Sequence, residues 1–290
     1  MKLLMLINKQ SGLKNSKNKL LDVIDVFCSY GYSVNTYVTQ KSNDAYEYLM
    51  KNRVKYDLIC VFGGDGTMNE VTNAMMHKKE KTNLAFFPSG TMNDFASNFE
   101  LDNDIVEIAK KVSQKNEKYF DVGKFNDKYF NYVAAFGAMC DVPFTTDRNA
   151  KEILGNIAYI LEGISKLSNI KKIDVEYEVN KKKYHKELLF GIIYSGNRVA
   201  GMQLETKNRS KIDDGYFNVL FVDYVPSWFE APDLISPIIQ GDRYIHRYRC
   251  QNIKLNFKEN VIWTLDGENA SSNKKEFDIE IYNKALSIYV

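Results

Sequence analysis

The stretch "CVFGGDGTMNE", residues 60–70, sets three glycines, a carboxylate and a threonine between an apolar run and a helix-like segment. The run before it, "YDLICVF" (56–62), is continuously apolar towards its end, as expected of a strand in a parallel sheet covered on both faces. The segment after it, "TMNEVTNAMM" (67–76), reads as a helix. Strand, bare turn and helix together make an anion-binding arrangement. Gly63, Gly64 and Gly66 let backbone N–H groups approach a ligand without interference from a Cβ. A helix starting near Thr67 aims its positive end at the same point. No Lys-Ser or Lys-Thr pair follows, so this is not a Walker A loop. Asp65 would repel a phosphate unless a Mg²⁺ lay between them. The plainer alternative is that Asp65 only caps the helix.

Outward from this stretch the first third of the chain alternates. "KLLMLIN" and "YSVNTYVT" (32–39) read as strands. "NSKNKLLDVIDVFCSYG" reads as a helix ended by Gly31, and "SNDAYEYLMKNR" as a helix capped by Ser42. "TNLAFFP" (82–88) is another strand and "DIVEIAKKVSQ" (104–114) another amphipathic helix. This β-α rhythm predicts an open α/β sheet with right-handed crossovers over residues 1–119. Beyond it, "KYFDVGKFNDKYFNYVAAFG" predicts two strands joined at Asn126–Asp127, and a helix is expected at about 153–167. The remaining segments are β-rich: 171–180, 184–195, 215–224, 251–257, 261–268, 277–283 and 285–290. The expectation is a β-sandwich or barrel-like domain over 120–277, with 278–290 a candidate to rejoin the first domain.

Bulk properties exclude several classes. The chain has 290 residues and a net charge of only +2, so bulk charge gives no case for nucleic acid. The four cysteines (Cys28, Cys60, Cys140, Cys250) form no CxxC pair and fit reduced thiols in a cytoplasmic protein. The three histidines show no zinc spacing. The apolar run of "MKLLMLIN" is too short for a signal peptide, and no run is long enough to span a membrane.

A second loop repeats the logic of the first. "FFPSGTMNDFA" (86–96) runs from a strand end through Ser89, Gly90 and Thr91 into a polar helix start. Loops at the carboxyl ends of neighbouring parallel strands face one crevice. Gly90 and Thr91 are candidate N–H and hydroxyl donors, with Asn93 and Asp94 lining the pocket or capping. In the second half, "VIWTLDGENA" sets Asp266 and Glu268 at a strand end, where a solvated turn is the plain reading. "SKIDDGYF" also reads first as a turn.

The ordered set GGDGT, "PSGTMNDFA", "FDVGKFN" (120–126), "YFNYVAAFGA" (129–138), "KIDDGYF" (211–217) and "LDGE" (265–268) resembles the diacylglycerol kinase catalytic family, above all its soluble bacterial members. The resemblance implies a phosphofructokinase-like (NAD kinase-like) α/β domain followed by a β-sandwich domain, with ATP and Mg²⁺ in the cleft between them. It implies phosphoryl transfer to a lipid hydroxyl, most simply diacylglycerol, by a peripheral enzyme at the inner membrane surface. A homodimer is the candidate assembly. Asn8, Ser11 and Gly12 stand where the family has N-P-x-S-G, with Lys9 in place of the proline. Thr39, Gly63, Gly64, Asp65, Gly66, Thr67, Asn69, Gly90 and Thr91 match nucleotide-binding positions. Asp65 and Asp121 match aspartates that organise Mg²⁺ and its waters, and Glu268 matches the general base. Lys211, Asp214 and Tyr216 match a structural Mg²⁺ site built from one carboxylate and two carbonyls.

Ser195–Gly196 departs from an asparagine-serine pair common in the family, beside Asn197 and Arg198. Lysine runs at 77–81, 115–118, 169–172 and 180–183, and Trp228–Phe229 between two prolines, are candidate membrane contacts, though solvated faces and burial explain them as simply. Two other readings stay open: a different acceptor (sphingoid base, polyprenol or NAD), or a nucleotide-binding regulator without turnover.

Overall fold

The computed structural model describes residues 1–9, 19–90, 93–102, 104–141, 171–196, 198–199, 202–203, 210–225 and 244–290. Ser11, Gly12, Thr91, the helix expected at 153–167, Asn197 and Trp228–Phe229 lie outside the described residues. The first part runs β1 (Lys2–Asn8), α1 (Leu20–Ser29), β2 (Ser33–Thr39), α2 (Asp44–Lys51), β3 (Leu58–Gly63), α3 (Asp65–His77), β4 (Asn83–Pro88) and α4 (Ile105–Ser113). There follow β5 (Glu117–Phe125), β6 (Lys128–Phe130), β7 (Val133–Gly137), β8 (Ile173–Val179), β9 (Lys182–Tyr194), the short β10 (Arg198–Val199) and β11 (Met202–Gln203), and β12 (Phe217–Asp223). The chain ends with β13 (Ile245–Cys250), β14 (Asn252–Phe257), β15 (Trp263–Leu265), β16 (Glu268–Asn269) and β17 (Glu276–Tyr289).

β2, β1, β3 and β4 lie side by side, all parallel, in that order. Every residue of β3 is buried, which its unbroken apolar run requires, whereas β2 is the edge strand and half exposed. α1 and α4 cover one face through Val23, Phe27, Ile108 and Val112. α2 and α3 cover the other through Ala45, Leu49, Met68, Val71 and Met75. The chain leaves β1 for β2 on one side and returns to β3 on the other. The carboxyl ends of β1 and β3 therefore flank a topological switch point, where open α/β sheets leave a crevice.

The second part is antiparallel and branches from two long strands. β9 pairs with β7, β8 and β12, while β17 pairs with β14, β5 and, in parallel, β4 at Ile288–Leu84. The two segments expected at 277–283 and 285–290 are thus one strand. Its register shifts between Tyr282 and Leu286, with Lys284 at φ +49°, and that kink carries it from the antiparallel body to the parallel sheet. β13 was not expected: its alternation is built from His246, Arg247 and Arg249 rather than apolar residues, yet it pairs along β12. The segment predicted as two strands at 118–137 is three. The chain breaks at Asn131–Tyr132 because those amides turn towards a buried carboxylate described below. One apolar cluster runs from Leu4, Met68 and Phe86 through Phe120 and Val122 to Leu189 and Ile192, so the two parts pack against each other without a gap.

Local caps also differ from expectation. α2 starts after Asn43, in the left-handed region at φ +62°, and not on a Ser42 cap. The amides of Asn43 and Ala45 donate to Glu70 of α3 at 2.7 and 3.0 Å, so one helix caps another. Asp65 is the first residue of α3 and Gly64 its cap, which removes the reading of Asp65 as a simple N-cap.

A second core centres on Trp263, fully buried and ringed by Phe125, Phe136 and Phe277 with centroids 4.7, 4.8 and 5.1 Å away. Its indole N–H finds no acceptor among the described residues, so its contribution is packing alone. Trp263→Ala should cost about 3–5 kcal/mol in urea unfolding. Trp263→Phe, which keeps the ring and removes the orphan donor, should cost less than half as much.

Candidate active site

At the switch point a cleft of about 300 Å³ is lined by Asn8, Thr39, Gly64, Gly66, Thr67 and Glu268, together with Gln40, Lys41, Ser42 and Glu70. It gathers residues from the ends of β1 and β2, the turn after β3, and the distant β15–β16 hairpin. A larger open depression of about 750 Å³ crosses β8, β9, β14 and β17, but it holds none of the glycine-loop residues. The glycine-loop residues and Glu268 line the smaller cleft.

The glycines earn their places by contact. A Cβ on Gly66 would stand 2.8 Å from Glu268 Oε1, so the carboxylate lies directly against the helix start. A Cβ on Gly90 would meet the Gly64 Cα at 2.9 Å; the two glycine loops touch backbone to backbone. Ser89 N–H donates to Gly63 O at 2.9 Å and completes that seam. Asn8 Nδ2 donates to Thr67 Oγ1 at 2.9 Å, tying β1 to the α3 start. Thr39 is buried at the end of β2, its hydroxyl directed at Ile7 O.

Other candidates are placed differently from the sequence expectation. The Gly90 N–H is not open to a ligand: it donates to Asn93 Oδ1 at 2.9 Å, and Asn93 Nδ2 donates back to Gly90 O at 2.8 Å. Asn69 Nδ2 donates to Asp266 Oδ2 at 2.7 Å and Tyr129 O at 3.1 Å, so its amide braces the scaffold. Asp121 is fully buried and does not line the cleft. Its oxygens accept N–H groups from Gly215 at 2.6 Å and Lys284 at 2.7 Å, joining β5 to the 210–216 loop and the β17 kink. Asp214 accepts from the amides of Lys211 and Tyr216 at 3.0 and 3.1 Å and pairs with Arg249.

Asp65 sits between the two glycine loops. Its oxygens accept the N–H groups of Asp94 and Phe95 at 3.1 and 3.3 Å. Burial, and then the neighbouring carboxylates of Asp94 and Asp266, push its carboxyl up to about 7. Among the described residues no three His, Cys, Asp or Glu side chains converge on a metal position. A cation at Asp65 would therefore be completed by phosphate and water oxygens, which is how Mg²⁺ is commonly held.

Two residues were missed. Glu70 caps α2 and lines this cleft and a second of about 330 Å³, which also shares Glu268. Its signal was the last letter of the opening stretch. Asp266, seen only as a flank of Glu268, is buried and accepts from four donors. These are the amides of Asn131, Tyr132 and Val133 at 2.6, 3.0 and 3.1 Å, and Asn69 Nδ2. With φ +49° at Asp266 and +87° at Gly267, it makes the tight turn that presents Glu268 to Gly66.

Gly66→Ala tests that contact. Alanine suits a helix better than glycine by about 0.5–1 kcal/mol, so the variant should be no less stable, while its methyl displaces the Glu268 carboxylate. Steady-state kinetics should show a fall in kcat of about tenfold or more, with the melting temperature unchanged or raised.

The first 125 residues match a family model: residues 2–125 correspond to the diacylglycerol kinase catalytic domain. A diacylglycerol kinase of Staphylococcus saprophyticus subsp. saprophyticus is 31% identical over 266 residues, covering 90% of this chain and 87% of the relative. A diacylglycerol kinase of Staphylococcus aureus (strain MRSA252) is 32% identical over 217 residues, 74% of this chain and 69% of that one. Among solved structures, a Bacillus anthracis str. Sterne protein provisionally assigned as a diacylglycerol kinase superposes with a TM-score of 0.79 at 26% identity, over 99% of this chain and 94% of that one. Sequence identity, coverage and fold agree, and the chain belongs to the diacylglycerol kinase family.

Proposed function

We propose that this chain is an ATP-dependent lipid kinase that transfers the γ-phosphoryl group to the free hydroxyl of diacylglycerol, giving phosphatidic acid and ADP. The observation that carries the reading is the approach of Glu268 to Gly66, which sets a carboxylate opposite an anion-binding helix start in one cleft. Family membership supports the donor and the acceptor class.

In this reading residues 1–119, joined by 278–290, hold the nucleotide, and the β-sandwich body 120–277 carries the base and meets the lipid at the inner membrane surface. No helix among the described residues is long and apolar enough to cross a membrane. The Gly64 cap and the first turn of α3 receive the phosphates. Asn8, held on Thr67, and Thr39, Gln40 and Lys41 form the opposite wall. Glu268 accepts the proton of the acceptor hydroxyl as its oxygen bonds to the γ-phosphorus. The bond from that phosphorus to the bridging oxygen breaks, and ADP keeps the electron pair. Asp65, crowded by two other carboxylates, is the residue that would hold a Mg²⁺ brought with ATP, and the ion would supply positive charge to the transferring phosphate. Asp121 acts from behind the cleft by holding the 210–216 loop to β17.

Incubation with labelled ATP and vesicles carrying diacylglycerol, a sphingoid base or a polyprenol, with NAD as a soluble acceptor, should label diacylglycerol far ahead of the others. Labelling of NAD or of no acceptor would reject the assignment. Glu268→Gln should lower kcat by about 10²–10⁴-fold and leave ATP binding within a few fold; an undiminished rate would remove Glu268 from the mechanism.

The Asp65 shift fixes a pH dependence. Its folded value of about 7 lies above the ordinary 3.8, so its contribution to stability is complete below 3.8 and is lost as pH rises through about 7. A cation binding there must displace the proton. Calorimetry of MgATP binding should show weaker affinity and proton release at pH 6, and tighter binding without release at pH 8. Asp65→Asn should abolish the difference; equal affinities in the native chain would place the cation elsewhere.

A further inference from the structure

The loop at residues 210–216 concentrates negative charge against a buried part of the fold. Asp213 and Asp214 lie on it, and both raise the carboxyl of Asp121 behind it, whose main elevation comes from burial. The loop is fastened to Asp121 at two points: Asp121 N–H donates to Ile212 O at 2.8 Å, and Gly215 N–H donates to Asp121 Oδ2 at 2.6 Å. Gly215 stands at φ +76°, and a Cβ there would meet Asn283 Nδ2 at 2.4 Å, so the loop is also pressed on the β17 kink.

A divalent cation on this loop would need room at the Asp214 carboxylate, besides backbone carbonyl and water oxygens. The Asp214 carboxylate instead has protein donors on both oxygens. Oδ1 accepts the Tyr216 amide at 3.1 Å, and Oδ2 accepts the Lys211 amide at 3.0 Å and Ser210 Oγ at 3.3 Å. Arg249 Nη2 lies 3.1 Å from the same Oδ2. The guanidinium carbon is 4.7 Å from the centroid of the Tyr216 ring, so the group is gripped by a carboxylate and an aromatic face together. Arg249 comes from β13, opposite Asn218 of β12, which holds its side chain over the loop.

We infer that Arg249 takes the place of a structural divalent cation in this chain, its guanidinium serving as the fixed counter-charge of the 210–216 loop. Asp214 Oδ2 already faces Ser210 Oγ, the Lys211 amide and the guanidinium, so a Mg²⁺ ion would have to displace Arg249 before gathering the several oxygen ligands it demands. The loop that supports Asp121 is therefore held without metal, whatever the acceptor of the phosphoryl group.

Thermal unfolding of the nucleotide-free protein in EDTA and in MgCl₂ or CaCl₂ tests this, with Asp214→Asn separating this loop from any other cation site. The native chain should show no cation-dependent shift in melting temperature that Asp214→Asn removes. Arg249→Ala should melt about 2–4 °C lower and recover part of the loss in Mg²⁺, because the carboxylate then has room for an ion. Arg249→Lys, which keeps the charge, covers the case where Arg249→Ala does not fold, and should melt between the two without gaining from Mg²⁺. A saturable Mg²⁺ shift in the native chain that vanishes in Asp214→Asn would overturn the inference. So would an Arg249→Ala protein as stable as the native one, or one whose loss no cation repairs.

Discussion

The geometry of this molecule depends on one buried carboxylate. Asp266 accepts the amides of Asn131, Tyr132 and Val133 and the side-chain amide of Asn69. Those four donors come from the β6–β7 break, the first residue of β7 and α3, while Asp266 itself stands in the hairpin that carries Glu268. A single group thereby joins the glycine-loop helix to the distant strand pair. A charge taken fully out of water is tolerable only when its lone pairs are satisfied, and even with these donors burial raises the Asp266 carboxyl above its ordinary value. The cost is concentrated where the site must be rigid.

The rest of the site follows from sheet topology. Parallel strands in the order β2–β1–β3–β4 open a crevice between β1 and β3, and the turn after β3 fills its edge with bare backbone. The second glycine loop contributes mainly by contact: Gly90 rests on Gly64, and its own N–H is closed by Asn93. Close approach of two chains, rather than a second set of free donors, is the reason for glycine there. Asp65 is wedged between the loops, where burial and the carboxylates of Asp94 and Asp266 raise its own carboxyl.

Much of this was legible in the sequence because the relevant signals are local. The unbroken apolar run of β3, the glycines after it and the β-α rhythm each depend on neighbours within a few residues. What was not legible depends on distant partners. Glu70 looks like an ordinary helix residue until the Asn43 and Ala45 amides of α2 reach it. Asp266 looks like a turn residue until β7 folds over it. β13 carries arginines where a strand of this body usually shows apolar residues, and only its pairing with β12 reveals it. The kink of β17 made one strand resemble two, because Lys284 takes up a left-handed conformation in mid-strand. Asp121 is buried, and its position is set by the amides of Gly215 and Lys284, which no local pattern announces.

Phosphates held at the β3–α3 junction should lie within reach of the Glu268 carboxylate from the β15–β16 hairpin. A crystal structure with a non-hydrolysable ATP analogue and Mg²⁺ tests it most directly. The γ-phosphate should sit between the Gly64–Thr67 backbone and the Glu268 carboxylate, with room for one hydroxyl between them. A triphosphate bound away from that turn, or a Glu268 side chain directed out of the cleft in the complex, would contradict it.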